Sequence, residues 1–146
     1  MKLLKALVLA LALMGAAAPA SASYIITYDQ GGVIDEYIEK YTMLRQTGAK
    51  VVIDGPCISA CTLVTGLIEP DKVCITDRAS LGFHSASLRT PFKSEYSKSA
   101  TQMMWSIFPD HVRYWVVASG WDGLSEHPDV LFLDRHILKT FYKECS

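Results

Sequence analysis

A serine, a histidine and a pair of glycines stand in this chain where acyl-transfer chemistry would need them. Gly55-Pro56-Cys57-Ile58-Ser59-Ala60-Cys61 places a serine just after a short apolar run and a sharp break, at the head of a second apolar stretch. A serine so placed opens a helix at the carboxyl end of a strand, where open α/β sheets hold their sites. The unpaired N–H groups of the first helical turn and the helix dipole then face it, and together they stabilise a developing oxyanion. The competing role is an N-cap, an ordinary use of serine at a helix start. His84 closes the run Ser80-Leu81-Gly82-Phe83-His84. Imidazole titrates near neutrality, so a histidine at the tip of a neighbouring parallel strand would serve such a serine as general base. Its competing role is a hydrogen-bonded histidine at a sheet edge. Gly31-Gly32 lets the main chain take positive φ and approach a ligand closely, or marks an ordinary tight turn.

The elements that must position these residues follow from pattern. Tyr24 to Tyr28 is β-branched and aromatic and reads as a strand. Val33, Ile34, Tyr37, Ile38, Tyr41 and Leu44 fall on one helical face, and Gly48 ends that helix. Val51-Val52-Ile53 has the apolar character of a buried parallel strand. Ser59 to Leu67 reads as a buried helix, and Lys72 to Thr76 and Ser80 to His84 as further strands. Strand, helix, strand, helix, strand implies right-handed crossovers and a mainly parallel sheet. Beyond Glu95 the pattern turns helical: Tyr96, Ala100, Met103, Met104, Ile107 and Phe108 share one face, and Val112, Trp115 and Val116 another. Gly120 to Asp129 reads as a loop and Phe132 to Tyr142 as a terminal helix. The expected class is α/β, with a mainly parallel sheet and a helical C-terminal half.

Taken in order, these strings resemble a known family. Asp29-Gln30-Gly31-Gly32-Val33-Ile34 resembles the Ser-Pro-Gly-Gly-Val-Ile segment of the Clp protease proteolytic subunit, and Gly55-Pro56-Cys57-Ile58-Ser59 resembles that family's Gly-Gln-Ala-Ala-Ser nucleophile turn. The gap from Ser59 to His84 is also similar, and the likeness spans Tyr24 to Ala86. It implies a ClpP/crotonase-like ββα core, Ser59 as nucleophile, His84 as base, and Gly32 and Ala60 as oxyanion donors. It further implies a carboxylate before the last helix. Asp129 is nearest to that place, with Asp122 and Asp134 as rivals and a dyad without an acid as the remaining option. A peptide or protein substrate, no cofactor and self-association into a homo-oligomer follow from the same likeness. This chain departs from the pattern in its short length, in Cys57, Cys61 and Cys74, and in having no match after His84.

Composition narrows the setting. A net charge of -1 argues against nucleic acid as the main partner, since phosphate binding needs a cationic face. Lys2 and Lys5, the apolar run Ala6 to Met14 and the small residues Ala20-Ser21-Ala22 form a secretory signal-peptide pattern over residues 1–22. That run is short of the ~20 residues a spanning helix needs, so residues 23–146 are expected as a single exported domain, periplasmic or secreted, with no membrane attachment after cleavage. ATP is generally lacking outside the cytoplasm, so no Clp-type ATPase partner is expected. Cys57, Cys61, Cys74 and Cys145 make an even set that an oxidising compartment would pair, in any of three ways. A disulfide at Cys57 would lock the Ser59 turn in an unproductive shape, which favours a non-catalytic role.

Other constellations read more plainly. Three residues between Cys57 and Cys61, rather than two, argue against a thioredoxin-type pair. No Gly-x-Ser-x-Gly elbow occurs. His111, His127 and His136, with Asp110 and Asp129, match no ligand spacing and read as surface residues. Trp105, Trp115 and Trp121 read as core or subunit interface, and Lys93 or Lys98 as a base would duplicate His84. Two functions outside catalysis stay open: a binding or structural protein on the same fold, and a disulfide-rich secreted effector with no pocket beside Ser59.

Overall fold

The computed structural model describes residues 22–146. The expected signal peptide therefore lies outside the described residues, apart from its last position. Among the described residues no helix is long and apolar enough to cross a membrane.

The chain is a mixed α/β structure with a mainly parallel sheet. In chain order come β1 (Ser23–Ile26), α1 (Ile34–Gln46), β2 (Lys50–Ile53), β3 (Pro56–Ile58), a 3-10 turn (Ser59–Leu63), α2 (Val64–Leu67), a second 3-10 turn (Pro70–Lys72) and β4 (Val73–Ile75). There follow β5 (Ser80–Phe83), β6 (Ser87–Arg89), β7 (Ser94–Tyr96), α3 (Lys98–Ile107), α4 (Asp110–Ala118), β8 (Leu131–Asp134), α5 (Arg135–Leu138) and β9 (Lys143–Glu144). The first sheet runs β1-β2-β4-β9 and is parallel throughout. The second runs β3-β5-β8, with β3 and β5 parallel and β8 antiparallel. Beyond β1 the chain continues as a parallel partner of β3: Asp29 N–H donates to the Pro56 carbonyl at 2.9 Å, and Ile58 N–H to the Asp29 carbonyl at 2.8 Å. Gly55 permits this approach, because a Cβ there would lie 1.8 Å from the Thr27 carbonyl oxygen.

The alternation of the strands decides what is buried. Val51 and Ile53 of β2, Val73 and Ile75 of β4, and Leu81 and Phe83 of β5 point into one core, capped by Val112 and Val116 of α4 and by Leu133 and Leu138. Each such side chain contributes about 1.5–3 kcal/mol of burial. Phe83 meets Phe108 edge-on at 5.3 Å, and Trp121 is buried, with Trp105 and Trp115 packed on the core.

Two expectations are corrected. Phe132 to Tyr142 is not one helix: Leu131–Asp134 pairs with β5, and only Arg135–Leu138 is helical. Leu133, Ile137, Leu138 and Phe141 satisfy a helical spacing on paper, but the open edge of β5 takes Leu131 and Leu133 as a strand. The helical stretch beyond Glu95 is likewise interrupted, since β8 and β9 there join the two sheets.

The cysteines pair as Cys57–Cys61 and Cys74–Cys145, the latter tying the last strand to β4. Their sequence separations of 4 and 71 residues set their worth. By loop-closure entropy the short ring stabilises by about 2 kcal/mol and the long one by about 4 kcal/mol. Replacing Cys74 and Cys145 together by alanine should therefore lower the unfolding free energy by about 4 kcal/mol, read from the midpoint of a urea titration.

A second stability prediction concerns His111. Its ring packs 4.6 Å from that of Phe141, and among the described residues neither its buried Nε2 nor the nearby Tyr142 hydroxyl has a hydrogen-bond partner. Burial lowers the imidazole pKa, and the adjacent Asp110 only partly offsets this. The unfolded chain therefore takes up the proton first. The neutral ring's contribution is complete at neutral pH and above, and is lost as the pH falls below the ordinary imidazole range. Urea midpoints of His111→Gln protein should accordingly fall less than wild type between neutral pH and mildly acidic pH.

Candidate functional site

Ser59 owes its position to the parallel pairing of β3 with β5. Register sets Ile58 opposite Gly82, so Ser59 leaves the tip of one strand just where His84 leaves the tip of the next. Gly82 leaves room for the Val130 and Ile58 side chains, which a Cβ there would meet at 2.7 and 3.0 Å. Ser59 has φ 58°, and among the described residues it is the one non-glycine with positive φ. L-residues avoid this region at a cost of roughly 1–2 kcal/mol, and such strain collects at functional sites. Ser59 is not a side-chain cap: its hydroxyl makes no hydrogen bond, and the 3-10 turn that it opens has no side-chain cap.

Both half-buried side chains line one cavity of about 660 Å³. Gly31, Gly32 and Val33 form one wall; Ala86, Leu88 and Arg89 another; Ala100, Met103 and Met104 of α3 a third. Val33, Leu88 and Met103 are large apolar side chains that nonetheless stay 58%, 63% and 45% exposed. Their convergence gives the cavity an apolar patch, set among polar side chains that include Gln30, Asp35, Ser87, Ser97 and Ser99.

The glycine pair is built around Asp29. Its Oδ1 accepts the Gly31 N–H at 2.8 Å and the Tyr37 hydroxyl at 2.5 Å, and its Oδ2 lies 3.6 Å from Lys40 Nζ. Burial first, then the hydrogen bond to Asp29, push the Tyr37 phenol well above its ordinary range, so it stays a neutral donor. Gly31 has φ +82°, and a Cβ on it would lie 2.7 Å from both the Ile58 carbonyl oxygen and Ser59 Cβ, and 2.9 Å from Ala60 N. The loop thus presses directly on the serine turn. Neither the Gly32 N–H nor the Ala60 N–H finds an acceptor among the described residues. Free main-chain donors beside a nucleophile are what a developing oxyanion requires.

His84 is held from the other side. Its Nδ1 lies 2.8 Å from the Ser85 carbonyl. A carbonyl only accepts, so Nδ1 carries a proton, and in the neutral ring Nε2 keeps its lone pair. The segment behind it is fixed by Ala86 N–H donating to Thr101 Oγ1 at 2.9 Å, by Ser97 N–H donating to the Ala86 carbonyl at 2.9 Å, and by a reciprocal pair between Ser85 and His127. No hydrogen bond joins Ser59 to His84 in this state.

The carboxylates named from the sequence lie elsewhere. Asp129 is exposed and off the cavity, and its carbonyl accepts from His127 Nδ1 at 2.8 Å. Asp122 caps its own loop through the Ser125 and Leu124 N–H groups, which hold its carboxyl below the usual range. Asp134 caps α5. The group beside His84 Nδ1 is the Ser85 main-chain carbonyl, while Asp129 sits in a loop that folds back on itself through Asp122 and His127. Lys93 pairs with Glu95 at 2.6 Å, and Lys98 is not on the cavity.

Two contributions were missed in the sequence. Asp29 carries a signal, since an aspartate two residues before a glycine forms an Asx-turn. The β6–β7 hairpin, which brings Leu88 and Arg89 to the cavity, has none: its strands are three residues each and mostly polar. No protein-family model matches the chain, nor does any curated protein sequence.

Proposed function

We propose that the protein is an exported, ATP-independent serine hydrolase, a peptidase by preference, working through a Ser59–His84 dyad on a ClpP/crotonase-like core. The observation that carries this reading is the serine held at positive φ, lining one cavity together with His84 and with Gly32, whose N–H is unpaired among the described residues. Ser59 Oγ attacks the scissile carbonyl and gives its proton to His84 Nε2. The oxyanion sits against the N–H groups of Gly32 and Ala60. His84 then passes the proton to the leaving group, and a water activated the same way frees the acyl product. The Ser85 carbonyl takes the place of the triad acid in orienting the ring. A peptide or protein with an apolar side chain beside the scissile bond fits the lining of Val33, Leu88 and Met103.

One observation favours a second reading, a binding module on the same fold: the two side chains are not hydrogen-bonded to each other. Catalytic hydrogen bonds often tighten only around substrate, so a covalent probe decides. A fluorophosphonate should form one adduct, mapped by peptide mass spectrometry to Ser59. Folded protein that stays unlabelled there would establish the binding module instead.

A further inference from the structure

The Cys57–Cys61 disulfide closes a ring of five residues with Ser59 at its centre. Both cysteines are fully buried. Tyr41, also fully buried, donates its hydroxyl to the Cys61 carbonyl at 2.9 Å and sits 3.6 Å from the Cys61 sulfur. Around the ring, Thr62 Oγ1 donates to the Ser59 carbonyl at 2.6 Å, and Gly31 presses on the turn from the cavity side. These contacts seat the turn, but only the disulfide ties its two ends together. So short a ring restrains fewer conformations of the unfolded chain than the Cys74–Cys145 loop does, so more of its effect falls on local geometry and less on global stability. The residue it encloses is the one non-glycine that the described chain holds in the left-handed region.

We propose that closing the Cys57–Cys61 bond arms Ser59: the ring holds residue 59 in the left-handed conformation that turns its hydroxyl into the cavity, and the dithiol chain folds with that turn relaxed and unreactive. This rests on the hydrolase reading above. Closure proceeds by exchange with an oxidised dithiol carrier. One cysteine thiolate attacks the carrier disulfide, giving a mixed disulfide; the second cysteine then displaces the carrier. One S–S bond forms in this chain and one breaks in the carrier, which leaves as a dithiol with two electrons and two protons. Burial of both sulfurs makes this a maturation step completed on reaching an oxidising compartment, not a reversible switch.

The test compares two double variants. Cys57→Ala/Cys61→Ala protein should keep a native near-UV circular dichroism spectrum, yet label with fluorophosphonate at Ser59 at least tenfold more slowly, with kcat for an ester falling and KM unchanged. Cys74→Ala/Cys145→Ala protein should show the opposite pattern, a lower thermal midpoint with labelling near the wild-type rate. Should the first variant not fold, the second is refolded with dithiothreitol and then given oxidised glutathione. Labelling should return as the remaining disulfide closes, in protein whose near-UV spectrum is already native. Equal labelling of dithiol and disulfide forms overturns this inference alone, as does labelling that returns only together with the near-UV spectrum. Absence of labelling in oxidised wild type overturns the hydrolase reading and this inference with it.

Discussion

His84→Ala protein should turn over an activated ester roughly 10²–10⁴-fold more slowly than wild type at neutral pH, the usual worth of a positioned general base. Its stability should change little. The ring is half-buried and its one hydrogen bond, to the Ser85 carbonyl, is worth about 1 kcal/mol. The segment behind it remains pinned by Thr101, Ser97 and His127. Added imidazole provides the readout that separates a base from a structural histidine. A cavity of about 660 Å³ admits it where the side chain was, so added imidazole should restore part of the lost rate, in proportion to its concentration. A variant that loses activity and shows no response to imidazole would count against His84 as the base.

Gly31→Ala should be nearly as damaging to activity, for a different reason. The new methyl would sit at φ +82° and meet main chain of the serine turn at 2.7–2.9 Å, so no flexible side chain can yield. Either the loop withdraws, taking the Gly32 N–H with it, or the Ser59 turn shifts. Loss of one oxyanion donor costs about 10²–10³ in kcat, and that is the expected fall. Gly48→Ala is the control: its φ of +68° imposes similar backbone strain, but its Cβ would meet nothing within 4 Å. It should lose roughly 1 kcal/mol of stability and keep full turnover. Equal activity losses in the two variants would mean that glycine at position 31 matters only for folding.

The legible part of this molecule was the part written in short-range pattern. Val51 to Ile53 and Lys72 to Thr76 gave strands that pair as parallel neighbours, and the apolar face from Ile34 to Leu44 gave α1. Because parallel strands end at one edge, the order of Ser59 and His84 was enough to put them at adjacent tips. What could not be read depends on contacts distant in sequence. Leu131 to Asp134 became a strand because β5 offers it an edge, a fact absent from its own residues. The partners of the cysteines follow from the pairing of β9 with β4 and from the tight turn after β3. Asp129 was chosen by its place in the chain. The loop that carries it is organised by Asp122, which keeps its carboxylate for the Leu124 and Ser125 amides. For the glycines, Gly32 was named as the donor, while the close approach and the positive φ belong to Gly31. The residue that bends this loop, Asp29, was read only as part of a string.

The most direct measurement is the pre-steady-state release of p-nitrophenol from an activated ester by wild-type and Ser59→Ala protein. Covalent catalysis through Ser59 predicts a rapid burst of about one equivalent per chain followed by a slower steady rate, with no burst in the variant. Progress curves that are linear from the first turnover and identical in the two proteins would contradict it.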